Sequence, residues 1–257
     1  MKQTILLILI LLVMLTTTAQ EALKVTPKHK WDIAGQISSP EEFTASYTRM
    51  SLLNEKDNSA FSMGLFGNYH LNNNLFIRLR AAICNRIVNY YDENSDSTLG
   101  PIYMRNSSIR QNSKTLAFGF GKSVVEQKSI RVYIGLEIAT TFFDKCYNIY
   151  NNRQTDLGGI SFVETVTYTI SGGYAVRVGP FVGCQLFFLK NFSVGIEISY
   201  AFQYLNIGGL VTQHDVAINT GSNSYFNNYD TTLYFMDTSV ETGFSKIKTA
   251  FHIEYSF

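Results

Sequence analysis

The chain has 257 residues, 21 Lys and Arg against 20 Asp and Glu, and a mean hydropathy of 0.00. The even charge balance excludes a nucleic-acid partner, which calls for a basic excess on one face. The flat hydropathy excludes a bundle of membrane-spanning helices, while 19 Phe, 16 Tyr, 18 Gly and only four Pro suit a chain of strands and turns.

Met1 to Gln20 comes first. Lys2 supplies a positive start, Ile5 to Leu15 is an unbroken apolar run, and Thr17 and Ala19 are small residues at cleavage spacing. The run is too short to cross a bilayer as a helix, which takes about 20 residues. Residues 1–19 are therefore predicted to be a secretory signal peptide, and residues 20–257 one mature domain. Cys84, Cys146 and Cys184 fit no metal spacing, and an odd number cannot pair fully. They read as packing thiols, and neither a metal nor any other cofactor is predicted.

Trp31 to Ser38 alternates Trp31, Ile33, Gly35 and Ile37 with Asp32, Ala34, Gln36 and Ser38, a first strand. Ser39 to Ser59 is a polar connection. Phe61 to Leu71 is the second strand, and Asn72-Asn73-Asn74 turns the chain back, since Asn tolerates positive φ. The third strand sends Leu75, Ile77, Leu79, Ala81 and Ile83 to one face and Arg78, Arg80 and Arg86 to the other. Tyr91 to Ser107 reads as a long polar loop. The fourth strand, ending near Val125, sets Leu116, Phe118 and Phe120 against Ala117, Gly119 and Gly121.

After the short turn at residues 127–129, the fifth strand sets Ile130, Val132, Ile134, Leu136 and Ile138 against Arg131, Tyr133, Gly135 and Glu137. Cys146 to Ser161 reads as loop again. The sixth strand carries Arg177 opposite a face of Tyr174, Val176, Val178 and Pro180. A proline inside a closed sheet has no edge on which to hide its missing N–H, so a bulge is predicted at Gly179-Pro180. Lys190-Asn191 is the third short turn. The seventh strand sets Phe192, Val194, Ile196 and Ile198 against Glu197, and Gly208 to Gly243 is the longest loop. The last strand alternates Ile247, Thr249, Phe251, Ile253, Tyr255 and Phe257 with Lys248, Ala250, His252, Glu254 and Ser256.

The connections alternate long, short, long, and so on, across eight strands. Even strand number, short turns at one end and long loops at the other are the habits of outer-membrane barrels. The predicted fold is all-β, an eight-stranded antiparallel up-and-down transmembrane β-barrel. Aromatics are predicted to gather in two interfacial girdles, Tyr69, Phe76, Phe188, Phe192, Tyr255 and Phe257 at one end, and Tyr90, Tyr91, Phe142, Phe202 and Tyr204 at the other.

On these alternations and on the terminal Phe, the mature chain resembles the small eight-stranded outer-membrane barrels of the OmpA-barrel and OmpX kind. The resemblance implies residence in the outer membrane of a Gram-negative envelope, lipid around the wall, and an assembly signal at Tyr255 and Phe257 read by the barrel-assembly machinery. The family also includes lipid A acyltransferases and deacylases that use His with Ser and an acidic residue. Here His214-Asp215, Ser222 and Ser224 supply those residue types without a motif that fixes their geometry, so no enzyme is predicted.

Arg78, Arg80, Arg131, Glu137, Arg177, Glu197, Lys248, His252 and Glu254 all take the inward parity. Eight strands leave a lumen that side chains fill, so these residues read either as a salt-bridged plug or as the lining of a narrow pore for small solutes. The longest loop brings Tyr225, Phe226, Tyr229, Tyr234 and Phe235 among Asn, Ser and Thr, the chemistry of a binding surface. Three functions follow: a structural or surface-binding barrel that meets an extracellular ligand through its loops, a narrow channel, or a lipid-modifying enzyme. The first is the reading the residues favour.

Overall fold

The computed structural model describes residues 30–39, 54–72, 74–94, 102–127, 129–156, 159–189, 191–219, 229–245 and 247–257. The predicted signal peptide lies outside the described residues. Among the described residues there are twelve strands: β1 Trp31–Ser38, β2 Asn54–His70, β3 Leu75–Asn94, β4 Ile102–Glu126, β5 Ile130–Phe143, β6 Cys146–Asp156, β7 Gly159–Ile170, β8 Gly173–Phe187, β9 Phe192–Ser199, β10 Phe202–Asn219, β11 Tyr229–Phe244 and β12 Lys248–Ser256.

All pairings are antiparallel and the sheet closes on itself, giving an all-β, barrel-like fold. One circuit runs β1-β2-β3-β4-β5-β8-β9-β12 and returns to β1. A wider circuit leaves β4 for β6, passes through β7 and β10, and rejoins at β8. The seam joins the two ends of the described chain: Trp31 N donates to the Phe257 carbonyl at 3.3 Å, and Phe257 N donates to the Trp31 carbonyl at 2.9 Å. The short turns lie at this same, lower, end. At the first of them Asn72 Oδ1 accepts from the backbone N–H groups of Asn74 (3.0 Å) and Leu75 (2.9 Å), the side chain standing in for a backbone turn partner.

Where eight strands are predicted the structure holds twelve, because most of what reads as long loop is strand. β3 extends to Asn94 and β4 begins at Ile102. The predicted loop at Cys146 to Ser161 is β6 and the start of β7, which pair as a hairpin from Cys146↔Ile170 to Asp156↔Gly159, and β10 and β11 stay paired from Phe202↔Phe244 up to Ala217↔Tyr229. With polar side chains on both faces the period-2 signal fades, although the ladder continues.

The sheet is inside out relative to a water-soluble protein. Leu65, Leu136 and Ile253 are 64%, 62% and 62% exposed on the outer face, while Arg78 and Glu254 are fully buried within. Outer aromatics collect at the lower rim, where Trp31 meets Tyr69 (centroids 4.7 Å apart) and Phe192 meets Tyr255 (4.8 Å). A second group sits higher, with Tyr200 stacked on Phe244 at 5.3 Å and Tyr174 against Tyr204 at 6.2 Å.

Three expectations are corrected. Phe76 belongs to no girdle: it takes the inward parity of β3 and is buried in the lumen. Val132 is buried and not exposed, paired with Val125 just past a one-residue register shift in β4 between Ser123 and Val125. No bulge interrupts β8 at Gly179-Pro180, where Pro180 stays in register with Leu136. The irregularity falls on the neighbouring strand instead, between Ser199 and Phe202, opposite the residue that cannot donate.

Candidate functional site

The inward positions of β1, β2, β3, β5, β8, β9 and β12 converge in the lower half of the lumen. At the centre Arg78 Nη1 donates to Glu197 Oε2 at 2.5 Å, and its Nε donates to Asn68 Oδ1 at 2.9 Å. Tyr133 adds its hydroxyl to the same Glu197 oxygen at 3.0 Å. Four rings surround the guanidinium: Phe181 and Phe66 with centroids at 4.4 and 4.5 Å, Tyr133 at 5.3 Å and Phe76 at 5.6 Å. A cation that gives up its water is held here by one carboxylate and several ring faces.

Glycines make the room. Phe76 lies over Gly121, Phe181 over Gly135, Tyr133 over Gly183 and His252 over Gly195, so closely that a Cβ on any of these glycines would overlap the ring. Each of these is a cross-strand pair or its near neighbour, so a ring on one strand roofs the glycine of the next.

Below the cage, Asp32 Oδ2 meets His70 Nε2 at 2.6 Å and accepts from Arg131 Nη1 at 3.1 Å, and Arg131 Nη2 reaches Glu126 at 3.3 Å. To one side, Glu254 Oε2 accepts from Gln185 at 2.6 Å and from Asn68 at 3.5 Å, and His252 packs edge-on against Phe66. Above it, Arg80 donates to both oxygens of Glu137, and Arg177 donates to the Thr141 hydroxyl at 2.6 Å. Lys248 borders an opening of about 30 Å³ beside Arg80, Glu137 and Arg177, roughly the volume of a single water in the liquid.

All nine predicted inward residues thus lie inside the sheet, six of them buried and Arg80, Glu137 and Lys248 half-buried. Sequence parity alone did not single out Asp32, Asn68, His70, Glu126 and Gln185, although each completes the network. His70, next to last in the predicted second strand and beside the turn, is buried on Asp32. The lumen aromatics Phe66, Phe76 and Phe181 were equally hidden, because in sequence they look like any other apolar strand residue.

At the upper end, Tyr229, Tyr234 and Phe235 lie exposed on β11 and not in a loop. Tyr225 and Phe226 lie outside the described residues. Tyr229 donates its hydroxyl to Glu164 of β7, and that hydrogen bond, with some burial and the carboxylate's charge, pushes the phenol up to about 12. His214 pairs with Asp230 at 2.8 Å on the exposed β10–β11 surface, while Asp215 accepts from Gln213 at 2.7 Å. Ser222 and Ser224 lie outside the described residues. Cys84, Cys146 and Cys184 form no disulfide.

A family model described as outer membrane protein beta-barrel domain matches residues 8–223. No curated protein matches the sequence. Among solved structures the chain is similar to the outer membrane protein OprG from Pseudomonas aeruginosa, at 14% identity and a TM-score of 0.38, with 90% of this chain and 97% of that one covered. It is also similar to Ail, the attachment invasion locus protein of Yersinia pestis, at 10% identity and a TM-score of 0.34, covering 89% and 99%. A major outer membrane protein from Thermus thermophilus aligns at 11% identity and a TM-score of 0.37, covering 89% and 100%.

Proposed function

The chain belongs to the outer membrane protein β-barrel domain family and resides in the outer membrane, and from that premise we propose that it is a sealed, non-enzymatic barrel whose working surface is the sheet that rises above the membrane. The observation that carries the reading is the Arg78 cage: a guanidinium, four rings and Glu197 fill the middle of the lumen. A pore requires a continuous file of water, and a fully buried Arg78 at the centre is what a plug requires.

The wall is read as eight membrane-crossing strands. β5 continues into β6, β7 into β8, β9 into β10 and β11 into β12, because across each break the partner register resumes with a slip of at most about one residue, as at a β-bulge. With the short turns facing the periplasm, the β6–β7 and β10–β11 hairpins stand on the cell surface. Tyr229, Tyr234 and Phe235, together with Tyr225 and Phe226, are the residues through which an extracellular ligand would be met, since exposed Tyr among small polar residues suits adaptable contact. Tyr255 and Phe257, exposed at the end of the closing strand, are the assembly signal in this reading.

The test is a planar-bilayer recording on full-length protein refolded into detergent, with fold checked by the change in gel mobility on boiling. Heat-modifiable wild type is expected to stay silent over long recordings, and Arg78→Ala is expected to admit current. Discrete steps from the wild type, altered by Arg80→Ala or Glu197→Ala, would reverse the assignment in favour of a narrow channel.

A further inference from the structure

Three buried carboxylates, Asp32, Glu197 and Glu254, share the lower half of the lumen with two buried guanidiniums, Arg78 and Arg131. Both guanidiniums are committed. Arg78 bonds Glu197, and Arg131 bonds Asp32 and Glu126. His70 is turned to Asp32 as well. Glu254, fully buried on β12, takes only the neutral amides of Gln185 and Asn68, both on Oε2. The nearby His252 accepts from the same Gln185 amide through Nε2 at 3.5 Å, so that nitrogen carries no proton. Among the described residues, then, no ion pair reaches Glu254. A buried carboxylate that no cation meets is costly.

The oxygens around it are unsatisfied. Glu254 Oε1, Gln185 Oε1 and Ser193 Oγ are all buried without a hydrogen-bond partner, on residues no more than 1% exposed. The sheet brings these residues together. Ser193 lies directly across from Glu254 in the β9–β12 ladder, and Gln185 reaches Glu254 from β8, one strand further on. Directly opposite residues on one face hold their Cβ atoms about 4.5–5.5 Å apart. The other cross-strand neighbour of Glu254 is Ala34, so both neighbours are short and neither crowds the carboxylate.

We propose that this corner of the lumen holds a single alkali cation of sodium size, bound by Glu254 Oε1, Gln185 Oε1 and Ser193 Oγ. All three are hard oxygen donors, which suit alkali and alkaline-earth ions over metals that seek nitrogen or sulfur. A water there would satisfy the oxygens and leave the charge. A monovalent ion cancels the charge of one carboxylate. Calcium takes about six to eight oxygens, and magnesium keeps several waters, more than one carboxylate and two neutral oxygens supply in a packed lumen. The proposal asks only that Glu254 be dry, not that the lumen be sealed from end to end. A conducting wild type would therefore sink the plug and leave this site standing.

The test is thermal unfolding of the full-length, heat-modifiable protein in detergent, titrated with sodium chloride against choline chloride at constant ionic strength. An ion that binds only the folded barrel raises the midpoint once its concentration passes the dissociation constant. Wild type is expected to show that rise with sodium and none with choline. Glu254→Gln removes the charge and is expected to abolish the sodium dependence. Ser193→Ala removes one neutral oxygen and is expected to raise the half-saturating sodium concentration several-fold, and it carries the test alone should Glu254→Gln fail to fold. Glu164→Gln, at the other end of the barrel, should leave the dependence intact. Equal midpoints in sodium and choline would overturn the proposal and give the missing charge to a proton on Glu254 itself. A sodium dependence that survives both Glu254→Gln and Ser193→Ala would overturn it as well, by placing the ion elsewhere.

Discussion

Tyr200 donates its backbone N–H to the carbonyl of Pro180 at 3.2 Å, and Pro180 has no N–H to give back. The ladder between the two strands is complete at Phe181↔Ser199 and again at Val178↔Phe202, in one unchanged register, and fails only between. Pro180→Ala is expected to restore the missing bond and slow amide exchange around residues 200 to 202. Its effect on stability should be small, because a hydrogen bond worth about 0.5–1.5 kcal/mol is set against the loss of proline's restraint on the unfolded chain, about 0.4–1 kcal/mol. Unchanged exchange at these amides would assign the break to the backbone at Ala201.

Glu197 is the carboxylate that meets the guanidinium of Arg78. Its removal leaves a buried, unpaired cation, and Glu197→Ala is expected to destabilise the barrel by about 3–5 kcal/mol. Glu197→Gln keeps an acceptor for Arg78 and Tyr133 and should cost less. Replacing both, as Arg78→Leu with Glu197→Leu, should recover much of the loss. Urea unfolding of the protein in lipid vesicles measures all three, and a Glu197→Ala protein as stable as wild type would remove the pair from the account of the plug.

Tyr133 rests on Gly183 with no space between for a side chain. Gly183→Val is expected to drive the ring from its place and cost about 1–3 kcal/mol, the usual range for overpacking. Tyr133→Ala in the same background should offset part of that cost, and a double-mutant cycle in the same vesicles reads the coupling. Additive losses would mean that ring and glycine do not share the space.

The parity of Arg78, Glu197, His252 and Glu254 was legible because the two faces of a membrane wall differ so sharply: every second side chain between the short turns and the opposite rim must tolerate lipid. Partner choice was not legible. Arg78 and Arg80 share a face two residues apart, and only the stagger of the strands sends the first to Glu197 and the second to Glu137. Asp32, Asn68 and His70 escaped for a similar reason, since a polar residue near a strand end reads equally well as lumen or as turn. The strand residues within Cys146 to Ser161 and along Tyr229 to Gly243 were read as loop because polar residues crowd both of their faces, which erases the alternation while the backbone bonds persist.

The seam between Trp31 and Phe257 joins the two ends of the described chain. Neighbouring hairpins such as β2–β3 or β8–β9 can form as soon as their own residues are present, at little cost in chain entropy. The seam cannot: it has to wait for every strand between, and contacts so distant in sequence make for slow folding. Assembly therefore has a built-in order, with local pairing first and the cylinder shut last. Until it shuts, the outer edges of β1 and β12 present unpaired backbone, which hydrocarbon does not tolerate. Insertion and closure are thus bound into one event, and the lone tryptophan stands where that event finishes.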